Sequence, residues 1–138
     1  VLIAAFRKDH SHHPVARAWL EEACRNCATG QATLVLLPVV LAGFIRLVTN
    51  SRVFVNPDSV EDAVSFIDAI LQVEGAEVAD GVNEWSTLRG LLLAHAVGGN
   101  FVTDAWIAAS VQSRGEHLVT FDRDFEDLLP TRDLTLLR

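Results

Sequence analysis

Two aspartates in residues 101–125, FVTDAWIAASVQSRGEHLVTFDRDF, are placed to do chemistry. On a helix running from about Phe101 to Arg114, Asp104 shares its side with Phe101, Ala105, Ala108 and Val111, all apolar. An ionised carboxylate facing a core is costly unless something positive binds it. No lysine or arginine lies on that face, so a divalent cation shared with a second acid is the simplest remedy. Asp122 is the natural second ligand. It directly follows residues 117–121, HLVTF, which read as a short strand, and ligand sites in open α/β sheets lie beyond the carboxyl ends of strands. Asp122 and Asp124 could each instead cap a helical turn at FEDLL. Metal binding is the better reading for Asp122, and the cap for Asp124. Magnesium takes oxygen ligands of this kind, often one or two carboxylates with waters and substrate phosphate. Arg46 and Arg123 could then steady a phosphate backbone. The competing reading of Arg46 is an ion pair closing its helix.

The elements that must position these residues alternate along the chain. Residues 1–6, VLIAAF, fit either a strand end or the first turns of a helix, and residues 7–13 read as a polar loop. Pro14 opens a helix to about Ala28, with Val15, Ala18, Trp19 and Ala23 as its apolar side. Residues 33–37 suit a buried strand. Pro38 starts a second helix with Leu41, Phe44, Ile45 and Val48 inward, and residues 49–57 form a loop. An amphipathic helix is expected over residues 59–73, with Val60, Val64, Ile67 and Leu71 on one stripe. Its start, SVED, has the spacing of a capping box. Residues 75–79 suit a short strand. Residues 83–97 suit a helix with Trp85, Leu88, Leu92 and Ala96 inward, broken by Gly98, Gly99 and Asn100. Residues 134–137 suit a final strand. Such alternation predicts one α/β domain over residues 1–138 with a mostly parallel sheet.

Composition narrows the functions. A chain of 138 residues that is half hydrophobic can bury a real core. No uninterrupted apolar run is long enough to span a membrane. A net charge of −7 argues against a broad electrostatic platform for nucleic acid, but leaves room for a nuclease whose acids hold metal. Cys24 and Cys27 have C-x-x-C spacing late in a helix. They lack the second pair a zinc site needs and read as packing cysteines of a reducing cytoplasm. His10, His12 and His13 read as a solvated loop rather than a metal site. The chain starts at Val1 and has no methionine, so we expect further encoded residues before it.

Taken together, VLIAAF with HPVARAWL, then LPVVLAGFIRLVTNSRVF, NFVTDAWIAA and HLVTFDRDF resemble PIN-domain ribonucleases of the VapC type, the toxins of bacterial toxin–antitoxin pairs. The resemblance covers essentially the whole chain. It implies a three-layer α/β/α fold and an endoribonuclease dependent on magnesium or manganese. It also implies a homodimer neutralised by a small antitoxin. The family's helix acid falls on Asp104 and its late-strand acid on Asp122. Its first acid belongs to an Asp-x-Asn segment expected just before Val1, with the first strand. A further family acid, before the phenylalanine-x-arginine of the second helix, is replaced by Gly43. The reading this departure favours is a PIN-fold binding module without catalysis. A phosphoacceptor signalling domain also places acids at strand ends, but it needs a late lysine, and the only lysine is Lys8.

Overall fold

A computed structural model of the chain describes every residue except Val82 and Val97. The fold divides into two compact units, Val1–Ala79 and Asp80–Arg138.

The first unit contains α1 (Leu2–Phe6), α2 (His13–Ala28), β1 (Leu34–Leu36), α3 (Pro38–Val48), α4 (Val60–Leu71) and β2 (Ala76–Val78). The ambiguous VLIAAF segment is therefore helical. β1 and β2 pair in parallel with Leu34 opposite Ala76 and Leu36 opposite Val78, as two strands joined through helices must. Phe6, Phe44 and Phe66 bring α1, α3 and α4 together, with ring centroids 5.1–5.6 Å apart. The expected stripe of α3 holds, with Phe44 and Val48 buried. Those of α2 and α4 are turned by about one residue. In α2 the buried residues are Ala16, Leu20 and Cys27, while Val15 and Ala18 are exposed. In α4 they are Ala63, Ile67 and Ile70, and Val60 and Val64 face solvent. Bulk misleads here. Fully buried Ala16 and Ala63 allow the close helix approach that valines would obstruct. At the start of α4, Ser59 Oγ accepts the Asp62 N–H at 3.0 Å and donates to the Asp62 carboxylate at 2.7 Å, which realises the expected cap.

Residues 7–12 are more than a polar loop. Arg7 is buried and pairs in two places with Asp9, at 3.0 and 2.8 Å. It also pairs with Asp58 and donates to the Asn56 carbonyl at 3.1 Å, and its guanidinium lies 4.0 Å from the centre of the Phe54 ring.

The second unit contains α5 (Trp85–His95), α6 (Phe101–Arg114), β3 (Leu118–Thr120) and β4 (Leu134–Leu136). A 3-10 turn, Arg123–Asp127, follows β3. β3 and β4 are parallel, with Leu118 opposite Leu134 and Thr120 opposite Leu136. Ala108, Val111, Phe125, Leu128 and Leu129 form the core, and Leu91, Phe101, Ile107, Leu118 and Leu134 pack around it. α5 starts two residues later than expected and buries none of its residues fully. Trp85 is exposed and Ala96 stands beyond the helix in a left-handed conformation. The expected end of this helix at Val97 lies outside the described residues.

Candidate metal centre

α5 has already stopped at Ala96, in a left-handed conformation (φ 53°), so α6 starts afresh after Asn100, and Gly115 ends it in the left-handed conformation (φ 68°) that glycine adopts freely. Its inward residues Ala105, Ala108 and Val111 are buried and Phe101 is half-buried, so the apolar face around Asp104 is real. Asp104 itself is half-buried in the first turn. Burial pushes its carboxyl above the ordinary range, and the negative charges of Asp122 and Asp124 push it the same way. The second unit thus brings the three acids within electrostatic reach of one another. None of the ion pairs among the described residues involves any of them.

Asp122 follows the carboxyl end of β3, as expected, and it also carries the cap. Its Oδ1 accepts the Asp124 N–H at 3.0 Å at the start of the 3-10 turn. The cap expected of Asp124 therefore belongs to Asp122, because a capping side chain must precede the turn whose free N–H groups it satisfies. Asp122 and Asp124 are both exposed. Thr120 accepts the Asp122 N–H on its Oγ1 at 3.1 Å, and so fixes the chain on either side of the strand end. This contact was missed, although a threonine two residues before an aspartate is a local turn signal. Glu84 was missed as well. Its carboxylate accepts from Trp106 Nε1 at 2.9 Å and Ser110 Oγ at 3.0 Å, tying the start of α5 to α6. The Trp106 hydrogen bond leads in holding Glu84 below the usual carboxylate range. Sequence gives no signal for a contact across 22 to 26 residues.

The donor set is all oxygen and carries excess negative charge, which suits a hard divalent cation such as Mg2+ or Mn2+ and not a thiophilic one. Among the described residues no group of three or more His, Cys, Asp or Glu is arranged to hold a metal ion. Asp104, Asp122 and Asp124 are the carboxylates here that could contribute to holding one. The histidines are engaged elsewhere. His10 Nδ1 accepts the His12 N–H at 3.1 Å, and His13 Nδ1 lies 2.8 Å from the Ala4 carbonyl. Cys24 and Cys27 are free thiols, the second buried.

Arg46 belongs to the first unit, exposed in the last turn of α3. The expected ion pair closing that helix is not among those of the described residues; instead Thr49 Oγ1 donates to the Ile45 carbonyl at 2.8 Å. Arg123 is exposed at the start of the 3-10 turn. A Cβ placed on Gly43 would meet nothing within 4 Å, so α3 has space for the side chain it lacks there.

The PIN domain family model matches residues 1–128. The chain belongs to the PIN-domain family. Its curated PIN relatives include the VapC ribonuclease Mb2897 of Mycobacterium bovis, 36% identical over 126 residues, which are 91% of this chain and 83% of the relative. They also include Ribonuclease VapC25 of Mycobacterium tuberculosis, 29% identical over 135 residues, 97% of this chain and 92% of the relative. The solved structure of VapBC2 from Rickettsia felis, bound to a DNA fragment from its promoter, matches with a TM-score of 0.67 at 22% identity. That match covers 99% of this chain and 93% of the other, and it supports the α/β PIN fold.

Proposed function

We propose that this PIN protein is an endoribonuclease toxin of the VapC type, that residues 1–138 act as one PIN domain, and that Asp104 and Asp122 hold the Mg2+ or Mn2+ on which cleavage depends. The single observation that carries the metal reading is the half-buried Asp104 carboxyl, raised by burial and by two further acids and without a cationic partner among the described residues. The ribonuclease reading is supported by the family match and by the VapC relatives.

When bound, the ion supplies Lewis-acid polarisation and charge neutralisation at the scissile phosphate. The protein's part is orientation. Asp104 presents its carboxylate from a rigid helix against a packed core. Asp122 is held by two local hydrogen bonds, through its N–H and its Oδ1. In this reading Asp124 orients a water, and Arg123 and Arg46, from their separate units, contact RNA phosphates. A small antitoxin is the proposed partner, in keeping with the VapBC2 complex, and the family resemblance extends this to a homodimer working in the cytoplasm. No helix among the described residues is long and apolar enough to cross a membrane.

Labelled RNA incubated with the purified chain tests the reading. We expect cleavage with Mg2+ or Mn2+ and none with EDTA. Equal cleavage with EDTA contradicts the metal assignment. No cleavage under any divalent ion favours the second reading, a binding module, to which Gly43 in place of the family's acid already points.

A further inference from the structure

The acids of this chain are unevenly spread. Residues 26–57 contain no Asp or Glu, and their only charged side chains are Arg46 and Arg52, in a protein of net charge −7. Both arginines are exposed, and neither takes part in an ion pair among the described residues. They stand at the same end of α3, Arg46 in its last turn and Arg52 in the loop that follows. A cation in a last helical turn is already favoured by the helix dipole. Arg52 lies beyond the helix and has no such reason to be there.

The loop carrying Arg52 is built to keep its shape. Asn50 Oδ1 accepts the Arg52 N–H at 2.8 Å, and the Asn50 carbonyl accepts from Val53 and Phe54, both at 3.0 Å. At its far end Asp58 N–H donates to the Val48 carbonyl at 2.9 Å. Buried Arg7 clamps the loop from beneath through Asp58, the Asn56 carbonyl and the Phe54 ring. Above this clamp Val53 is 48% exposed and Val55 is 96% exposed. A braced loop holding a cation and apolar side chains in solvent loses little conformational entropy when a ligand arrives. Unpaired arginines meet nucleic-acid phosphates, and exposed apolar side chains beside them can cover a base or ribose.

We infer that the loop of residues 50–58 is a preformed contact for single-stranded RNA, with Arg52 on a phosphate, Val53 and Val55 against a base or ribose, and Arg46 continuing the track. The inference rests on the ribonuclease reading for its choice of ligand. Arg52 is a binding residue and takes no part in the chemistry.

The test is fluorescence anisotropy with a labelled single-stranded RNA. The chain would carry Asp104→Asn so that the probe stays whole, and binding would be measured against salt concentration. Adding Arg52→Ala should weaken binding about three- to tenfold and make the slope of log affinity against log salt shallower by about 0.7, one phosphate contact on a single strand. Arg25→Ala removes the same charge outside the tract and should leave both unchanged. In the otherwise wild-type enzyme Arg52→Ala should raise KM and keep kcat. RNA affinity of Arg52→Ala equal to that of Arg25→Ala overturns the inference, also if Val55→Asp then disrupts a protein–protein association. The outcomes separate cleanly from catalysis. A chain that binds RNA through Arg52 but never cleaves it keeps this inference and loses the nuclease; one that cleaves with Arg52 indifferent does the reverse.

Discussion

On the proposed reading, Asp104 trades stability for metal binding. In the folded chain its carboxyl is raised by burial, then by Asp122 and Asp124, so folding favours its protonated form. The stability this group contributes is therefore fully present below its ordinary value of 3.8 and is lost as pH rises through its higher folded value. At neutral pH without metal the carboxylate is a net burden. Asp104→Asn should raise the metal-free melting temperature at pH 7, and the gain over wild type should vanish in acid. A lower melting temperature at pH 7 would mean that Asp104 has a structural partner instead. The surroundings of this residue were legible because the signal is local: one acid among apolar residues at helical spacing. Arg7 was not legible. Its partners Asn56 and Asp58 lie 49 and 51 residues away, and a lone arginine in a polar segment is indistinguishable from a solvated one.

At the level of elements, the strand end and the turn after it share one side chain. Asp122 caps the 3-10 turn and is proposed as a metal ligand, and two substitutions separate the roles. Asp122→Asn keeps an oxygen that can accept the Asp124 N–H and should fold with near wild-type stability while losing metal. Asp122→Ala also loses the cap and should be less stable by about 1 kcal/mol in denaturant titrations. Equal stability of the two variants would show that the cap contributes nothing. The sequence revealed the order of helices and strands well, because glycine and proline punctuate it and because β-branched runs stand out. It revealed helix orientation less well. Large residues suggested the inner faces of α2 and α4, but the packed faces centre on Ala16 and Ala63, whose small size permits close approach. In α3, where bulky Phe44 and Val48 are themselves the core, the same reasoning succeeded.

For the whole molecule, the proposed chemistry rests on two acids of the second unit. Asp104 and Asp122 are separated by the rest of α6 and by β3, and the return of the chain from helix to parallel strand brings them together. The sequence suggests that pairing because the segment between them is short and regular. The sequence also implied the α/β PIN fold, through motifs spread over most of the chain, and the family match agrees. What it could not show was the clamp beneath the loop of residues 50–58 or the tie from Glu84 to α6, since both join distant segments. The most direct measurement is titration calorimetry of Mn2+ into the full chain, into Asp104→Asn and into Asp122→Asn at pH 7. We expect the wild type to bind Mn2+, more weakly as pH falls and the raised carboxyl takes up its proton, and each variant to lose at least about tenfold in affinity, roughly 1.4 kcal/mol. Mn2+ binding unchanged in both variants would contradict the metal centre.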